Sequence, residues 1–448
     1  MDETKYDLTR GGILDKLLLV ALPIIGSQLV MLSYNLVDTL LLGRLGSDAV
    51  AASGMAGMYM WLASGFMVIG RVGAEIGVAQ NMGRREVKAA MKYSWNSMFL
   101  SLLAGLAIMA ASVIFAEEMI GFFKIRERPV ASAAKNYLVI VSFAAPGAFV
   151  GASVAGAFNG SGNSRVPFAI NSASLVLNAA LDVIFIFPLG MRVEGAALAT
   201  AISQFVACAA SLVALASWKG RPFERFDFFS GPERRVIAQV LRWGAPIGAE
   251  SLLFTFFTML ISRFVASHGA GAIAVYRVGT EIESLCWLIG IGMSTAVAAF
   301  VGQNYGAGEW GRIRGCFRLA LVSSCAWGVC VTALLVGAGG QIFGIFLRDP
   351  VLIGMGGAFL RIISACQILG CLEAVASGTF RGLGRTMPPS IASVASNAMR
   401  VPLAYALSQT ALGLEGIWWG ISLGAALRGL WAFLWCVAEF RRRRERAK

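Results

Sequence analysis

Four residues in the amino-terminal half of the chain have the types and spacing to handle a small cation or a proton. Asp38 lies late in the first apolar run, flanked by Val37 and Leu40, with no basic residue one helical turn away to neutralise it. Asp182 follows Asn178 by one turn, so a carboxylate and an amide oxygen share one helix face. Thr200, in the next run, adds a hydroxyl. Ionisable groups inside an apolar span are costly to desolvate and face a cavity or a partner, which makes each a functional candidate. Oxygen ligands of this kind suit a hard monovalent cation, with sodium at Asp38 and Asp182 the candidate metal. A desolvated carboxylate pair equally suits a proton, because a low dielectric penalises the charged form. The same residues also read as a structural hydrogen-bond network. Pro23, in the run that holds Asp38, removes a backbone hydrogen bond and is the candidate conformational switch, with a static kink as the alternative.

The carboxy-terminal half holds a second set. Glu250 follows Pro246 by one turn, and Arg277, Glu281 and Glu283 sit together further on. Arg277 and Glu281 are one turn apart and can neutralise each other, which leaves Glu250 and Glu283 to meet a cationic substrate. Glu281, Tyr34 and Trp287 complete the substrate-cavity candidates. Arg71 and Glu75 have the same one-turn spacing and read as a structural pair. The Met- and aromatic-rich stretches Met55 to Met67 and Phe254 to Phe257 offer adaptable apolar lining, or plain packing against lipid and core.

The elements that must position these groups are membrane spans. Of 448 residues 57% are hydrophobic and only 14% charged, far from the balance of a soluble domain. A helix needs about 20 mostly apolar residues to cross the hydrocarbon core, and lipid tolerates no unpaired amides, so the spans are helical. Apolar runs fall near 14–43, 48–80, 90–116, 130–158, 164–188 and 193–217, then 236–266, 272–303, 313–345, 351–380, 388–411 and 416–438. The first is too long for a signal-peptide core and lacks a cleavage pattern, so it reads as a true span. The domain reading is an amino-terminal lobe over 1–218, a cytoplasmic linker over 219–235, and a carboxy-terminal lobe over 236–448 that ends in a basic tail.

Lys and Arg crowd the connectors on one side: Lys5, Arg10 and Lys16; Arg84, Arg85, Lys88 and Lys92; Lys219 to Arg235; Arg441 to Lys448. The opposite connectors hold only Arg44, Lys124, Arg126, Arg128, Arg192 and Arg348. Cytoplasmic loops carry the excess, so both termini face the cytoplasm. A net charge of +13 distributed this way marks a membrane surface rather than a nucleic-acid face. The eight cysteines lie mostly inside apolar runs without a CxxC pair, and the single histidine, His268, has no ligand-spaced partner, so no cofactor is expected beyond the coupling ion.

The halves repeat. Pro23 in ALPIIGSQ and Pro246 in GAPIGAES are 246 minus 23, or 223, apart, as are Gln80 in VAQNMG and Gln303 in VGQNYG. GAFNGSGNSRVP from Gly156 resembles GTFRGLGRTMPP from Gly378. Six spans per repeat give parallel topology and pseudo-two-fold symmetry, the architecture of an alternating-access carrier with its path between the halves.

At this level the chain resembles the multidrug and toxic compound extrusion (MATE) family, in its DinF-like prokaryotic branch. The resemblance runs almost end to end, through NLVDTLLLGRLG, VAQNMG, GSGNSRVP, NAALDVIFIF, VEGAALATAISQ, VGQNYGAG and RGLGRTMPP, in order and at the repeat spacing. It implies an all-α integral membrane fold of about twelve transmembrane helices in two six-helix lobes. It also implies that Asp38, Asn178, Asp182 and Thr200 match the amino-lobe cation or proton site of these exporters. Two features depart from the pattern: Arg71 and Glu75 stand in a run usually more apolar in relatives, and Glu373 is offset from the acidic residue some relatives use for sodium. The function implied is ion-coupled export of small organic, cationic or amphiphilic compounds by a monomer in the cytoplasmic membrane. The rivals are a lipid-linked oligosaccharide flippase of the same superfamily, an intramembrane enzyme and a channel. The enzyme lacks a nucleophile motif or a histidine in any span, and the channel lacks a filter motif.

Overall fold

The computed structural model describes residues 6–123, 127–217, 221–224, 226–228 and 231–446. Lys5, Lys124, Arg126 and Lys448 of the charge asymmetry, and Lys219, Gly220, Arg225, Phe229 and Ser230 of the expected linker, lie outside the described residues. Regular structure among the described residues is all α-helical. The first half runs α1 (Ile13–Gly43), α2 (Ser47–Gly83), α3 (Val87–Ile114), a short α4 (Ala116–Gly121), α5 (Arg128–Ser142), α6 (Ala144–Gly160), α7 (Arg165–Ile186) and α8 (Arg192–Ser217). The second runs α9 (Arg234–Ala266), α10 (Ala270–Gly306), α11 (Trp310–Phe346), α12 (Pro350–Ser364), α13 (Gln367–Gly382), α14 (Met387–Ser408) and α15 (Leu414–Arg446).

Among the described residues nine helices are individually long and apolar enough to span a bilayer, and two bent pairs, α5 with α6 and α12 with α13, bring the spans to eleven. The twelfth is α14, which like α7 is 22 residues long and begins 387 minus 165, or 222, positions later. Its hydropathy is lowered by Asn397, Arg400 and several serines, all facing inward. The same repeat pairs α2 with α10, of 37 residues each, and α5 with α12, of 15 each.

The two bent spans correct the expectation of unbroken runs over 130–158 and 351–380. Pro146 sits in the first turn of α6 and cannot donate to the carbonyl of Ser142, and the axis turns by 42° between α5 and α6. The α12–α13 break turns 46° with no proline at hand. There the freed carbonyls find hydroxyls instead: Thr332 Oγ1 donates to Ser364 O at 3.1 Å and Ser422 Oγ to Ile362 O at 3.0 Å.

Packing divides the chain into two compact units, Met1–Gly248 with Gly302–Glu309, and Ala249–Val301 with Trp310–Lys448. In the first, α2 is the most enclosed span and rests on α3 and α6. A Cβ on Gly156 or Gly160 of α6 would overlap the carbonyl oxygens of Arg71 and Glu75 on α2, so only glycine permits this approach. In the second unit the arrangement recurs by itself, with Gly378 and Gly382 of α13 against the carbonyls of Ser294 and Ala298 on α10. Outward faces bear Leu29, Met31, Trp61, Val176, Val322 and Ile345, as a lipid-facing surface requires.

Candidate functional site

In the first unit α1, α5, α7 and α8 bring one polar cluster together. Asp182 on α7 is fully buried and Asn178, one turn earlier, is 1% exposed. With its amide nitrogen toward the carboxylate, Asn178 donates to Asp182 Oδ2 at 2.9 Å, and its oxygen accepts from the Thr200 backbone N–H at 3.2 Å. The Thr200 hydroxyl is 2.9 Å from the Tyr34 hydroxyl on α1. Asp38, one turn beyond Tyr34, is electrostatically coupled to Asp182. The four residues singled out by type and spacing are therefore neighbours in space.

Two features give this cluster its chemistry. No Lys or Arg lies within 4.0 Å of either carboxylate among the described residues, and Asp38 Oδ1 and Asp182 Oδ1 are both buried without a hydrogen-bond partner. A buried acceptor left open is costly, and the cost is removed by whatever cation or proton fills the gap. The donor set fits sodium through these two carboxylate oxygens, with the hydroxyl oxygens of Tyr34 and Thr200 beside them. Asn178 spends its oxygen on Thr200.

Tyr34, expected among the substrate-cavity residues, has its hydroxyl in this cluster, in contact with that of Thr200 across 166 positions of the chain. Tyr137 on α5, 6% exposed and within electrostatic reach of Asp38, Tyr34 and Asp182, is a member that spacing along the chain could not disclose. Pro23 lies inside α1, which runs unbroken through it, and the Ser27 hydroxyl donates to the Pro23 carbonyl at 3.1 Å.

The second unit gathers a different set. Trp287 Nε1 on α10 donates to Glu283 Oε1 at 3.2 Å, and Arg428 on α15 stands over the Trp287 ring at 5.4 Å while its guanidinium lies 3.7 Å from Glu373 on α13. Glu250 on α9 has Ser390 and Ser393 of α14 beside it. Glu281 does not join this group. It is exposed, because two residues along a helix is about 200° of rotation and Glu283 takes the inward face. The expected Arg277–Glu281 pair is likewise absent within 4.0 Å, both side chains being exposed. Nor do Arg71 and Glu75 form a hydrogen-bonded pair: Glu75 is 1% exposed and neither of its carboxylate oxygens has a hydrogen-bond partner. Of the apolar stretches, Met58, Trp61, Phe66 and Phe256 are exposed, whereas Phe254 turns inward against Arg400 of α14 at 5.8 Å. Arg400 and Arg428 were legible as charges inside spans by the same desolvation argument that singles out Asp38.

Comparison with known proteins agrees with this architecture. Residues 23–184 and 246–406 each match the MatE family model, one match per repeat. The relatives include "Probable multidrug resistance protein NorM" of Thermotoga maritima, 28% identical over 412 residues, covering 91% of this chain and 88% of that protein. The multidrug export protein MepA of Staphylococcus aureus is 22% identical over 436 residues, covering 97% and 95%. Among solved structures, MATE in complex with MaD3S superposes with a TM-score of 0.92 at 22% identity, over 98% of this chain and 99% of that one. An outward-facing multidrug resistance MATE transporter of the MOP superfamily gives 0.91 at 23% identity, over 98% of each.

Proposed function

Because the chain belongs to the MatE family of membrane transporters, we propose that it is a secondary antiporter that exports small organic compounds, in exchange for protons or sodium loaded on Asp38 and Asp182. The observation that carries this reading is the pair of buried carboxylates with no counter-charge and one open oxygen each. The names of the relatives, multidrug resistance and export proteins, support the export of varied compounds.

The coupling follows from electrostatics. With Asp38 and Asp182 both ionised, two like charges share a low-dielectric pocket, and that state is costly. Binding a proton or a sodium ion neutralises part of that charge, and Asn178, Tyr34 and Thr200 hold the geometry in which it happens. Asp38 is on α1 with Pro23, so a change of charge at one end of the helix acts on a segment whose backbone ladder already lacks one donor. Glu250 and Glu283 in the second unit are the acids assigned to the cationic part of a substrate. The chain is organised as two lobes, 1–218 and 236–448, joined by a cytoplasmic linker at 219–235, and acts as a monomer in the cell membrane with both termini in the cytoplasm.

The test is efflux of a fluorescent organic cation from vesicles containing the purified protein, driven in turn by a proton and by a sodium gradient. Wild type exports under one gradient, which names the ion, and Asp38→Asn or Asp182→Asn abolishes it. Normal efflux by both variants under both gradients removes the coupling role from this cluster.

A further inference from the structure

The last two helices enclose a groove on their outward side. They run antiparallel: Gly420 lies against Ala404, Gly424 against Arg400, and Arg385, just before α14, donates to Glu439 near the end of α15 at 2.7 Å. Between them a space of about 270 Å³ is lined by Leu427, Leu430, Trp431 and Leu434 of α15 and by Met399 of α14, with Ala395 and the hydroxyl of Ser396 on the α14 side. A water takes up about 30 Å³ of liquid, so the groove has room for roughly nine groups of methylene size. Met399 and the four α15 side chains are all exposed, which opens the groove on the surface that meets lipid.

The groove leads to a cationic end. Leu427, Leu434 and Arg441 follow one another at seven-residue intervals along the continuous helix α15, and a helix drifts by only about 20° over seven residues, so the three share one face. Arg441 stands about 10 Å beyond Leu434, far enough to pass from hydrocarbon into a headgroup layer roughly 5–8 Å deep. Trp435, just past Leu434, stacks on Trp431 at 6.3 Å, and tryptophan collects at that boundary. On α14, Ile391 and Met387 continue the exposed apolar row toward the same end. The arginines there divide into two kinds. Arg385 and Arg443 are both spent on Glu439, at 2.7 and 2.6 Å. Arg441 and Arg442 are exposed and form no ion pair within 4.0 Å among the described residues.

We infer that this groove is a binding site for one anionic phospholipid, with an acyl chain seated between α14 and α15 and the headgroup phosphate on Arg441 and Arg442. Guanidinium groups meet phosphate oxygens with charge-assisted hydrogen bonds. A zwitterionic lipid offers the same chain, but its own ammonium offsets the phosphate charge, so the two arginines discriminate between headgroups while the groove asks only for a chain. Any lipid coats a membrane protein; a chain-sized groove that ends at two unpaired cations turns part of that coat into a site. The site depends on neither the exported compound nor the coupling ion.

The experiment counts lipids on the full chain by native mass spectrometry, with the detergent-purified protein titrated with phosphatidylglycerol and with phosphatidylcholine of identical chains. Wild type holds one phosphatidylglycerol about tenfold more tightly than phosphatidylcholine. Arg441→Gln combined with Arg442→Gln brings the two lipids level, and Ala395→Phe, which fills the groove, weakens the binding of both. Arg234→Gln combined with Arg235→Gln removes the same charge from exposed positions at the start of α9 and leaves the preference intact. Equal retention of the two lipids by wild type, loss of the preference in the Arg234 and Arg235 variant, or unchanged binding of both lipids by Ala395→Phe overturns the proposal.

Discussion

In the first unit Asp38 and Asp182 have no Lys or Arg within 4.0 Å among the described residues, whereas in the second Glu250 and Glu283 lie within electrostatic reach of Arg428, Glu283 also of Arg400, and Glu373 stands 3.7 Å from Arg428. The repeat gives the two units the same helices and the same glycine-mediated approach of one helix to another, yet opposite electrostatic solutions. On the proposed reading, an acid with no base beside it takes its counter-charge from a mobile ion, and the site responds to the concentration of that ion. Where a base does stand beside it, as Arg428 stands beside Glu373, the charge is balanced within the protein.

The largest effect that would break this comparison is on transport. Asp182→Asn brings gradient-driven efflux down to that of protein-free vesicles while thermal unfolding of the purified protein shifts upward or not at all, since an uncompensated buried charge has been removed. A lower unfolding temperature would mean that the hydrogen bond from Asn178 outweighs the cost of the charge and that the acid is structural. In the second unit the same kind of truncation has the opposite sign for stability. Arg428→Ala strips Glu373 of its counter-charge and Trp287 of its cation, and destabilises by about 3 kcal/mol, measured as a drop in unfolding midpoint in detergent. Next in size is Asn178→Ala, which removes the donor to Asp182 Oδ2 and weakens ion-dependent efflux roughly tenfold at limiting ion, with recovery at high ion concentration. The smallest is Glu281→Gln: the side chain is exposed and apart from the inward cluster, so efflux and stability stay at wild-type values. A loss there would return Glu281 to the substrate set.

Much of this was readable from the chain. Apolar run length places the spans, because the bilayer imposes one thickness on every crossing, and the 222- to 223-residue repeat reveals the two lobes without any coordinates. Asp38 and Asp182 declare themselves as charges where charge is costly, and Asn178 follows Asp182 by helical period alone. Rotation within a helix was legible too, although Glu281 shows how two residues of spacing decide whether a side chain faces a cluster or leaves it.

Only the tertiary structure decided which groups from different helices meet. Tyr34 finds Thr200 across 166 positions and Tyr137 comes within electrostatic reach of Tyr34 from α5, approaches that depend on how helices separated in sequence pack together. That approach is set by glycines such as Gly156 and Gly378 lying against a neighbouring backbone, a three-dimensional fit no periodicity contains. The break between α12 and α13 is likewise invisible along the chain, because the hydroxyls that receive its freed carbonyls come from α11 and α15. That Arg400 Nε is buried without a partner is visible only once the acceptors around it have been placed. Sequence determines which groups cannot remain in lipid unattended, since that cost is local to each residue; packing determines which of them are attended, since that requires all the helices at once.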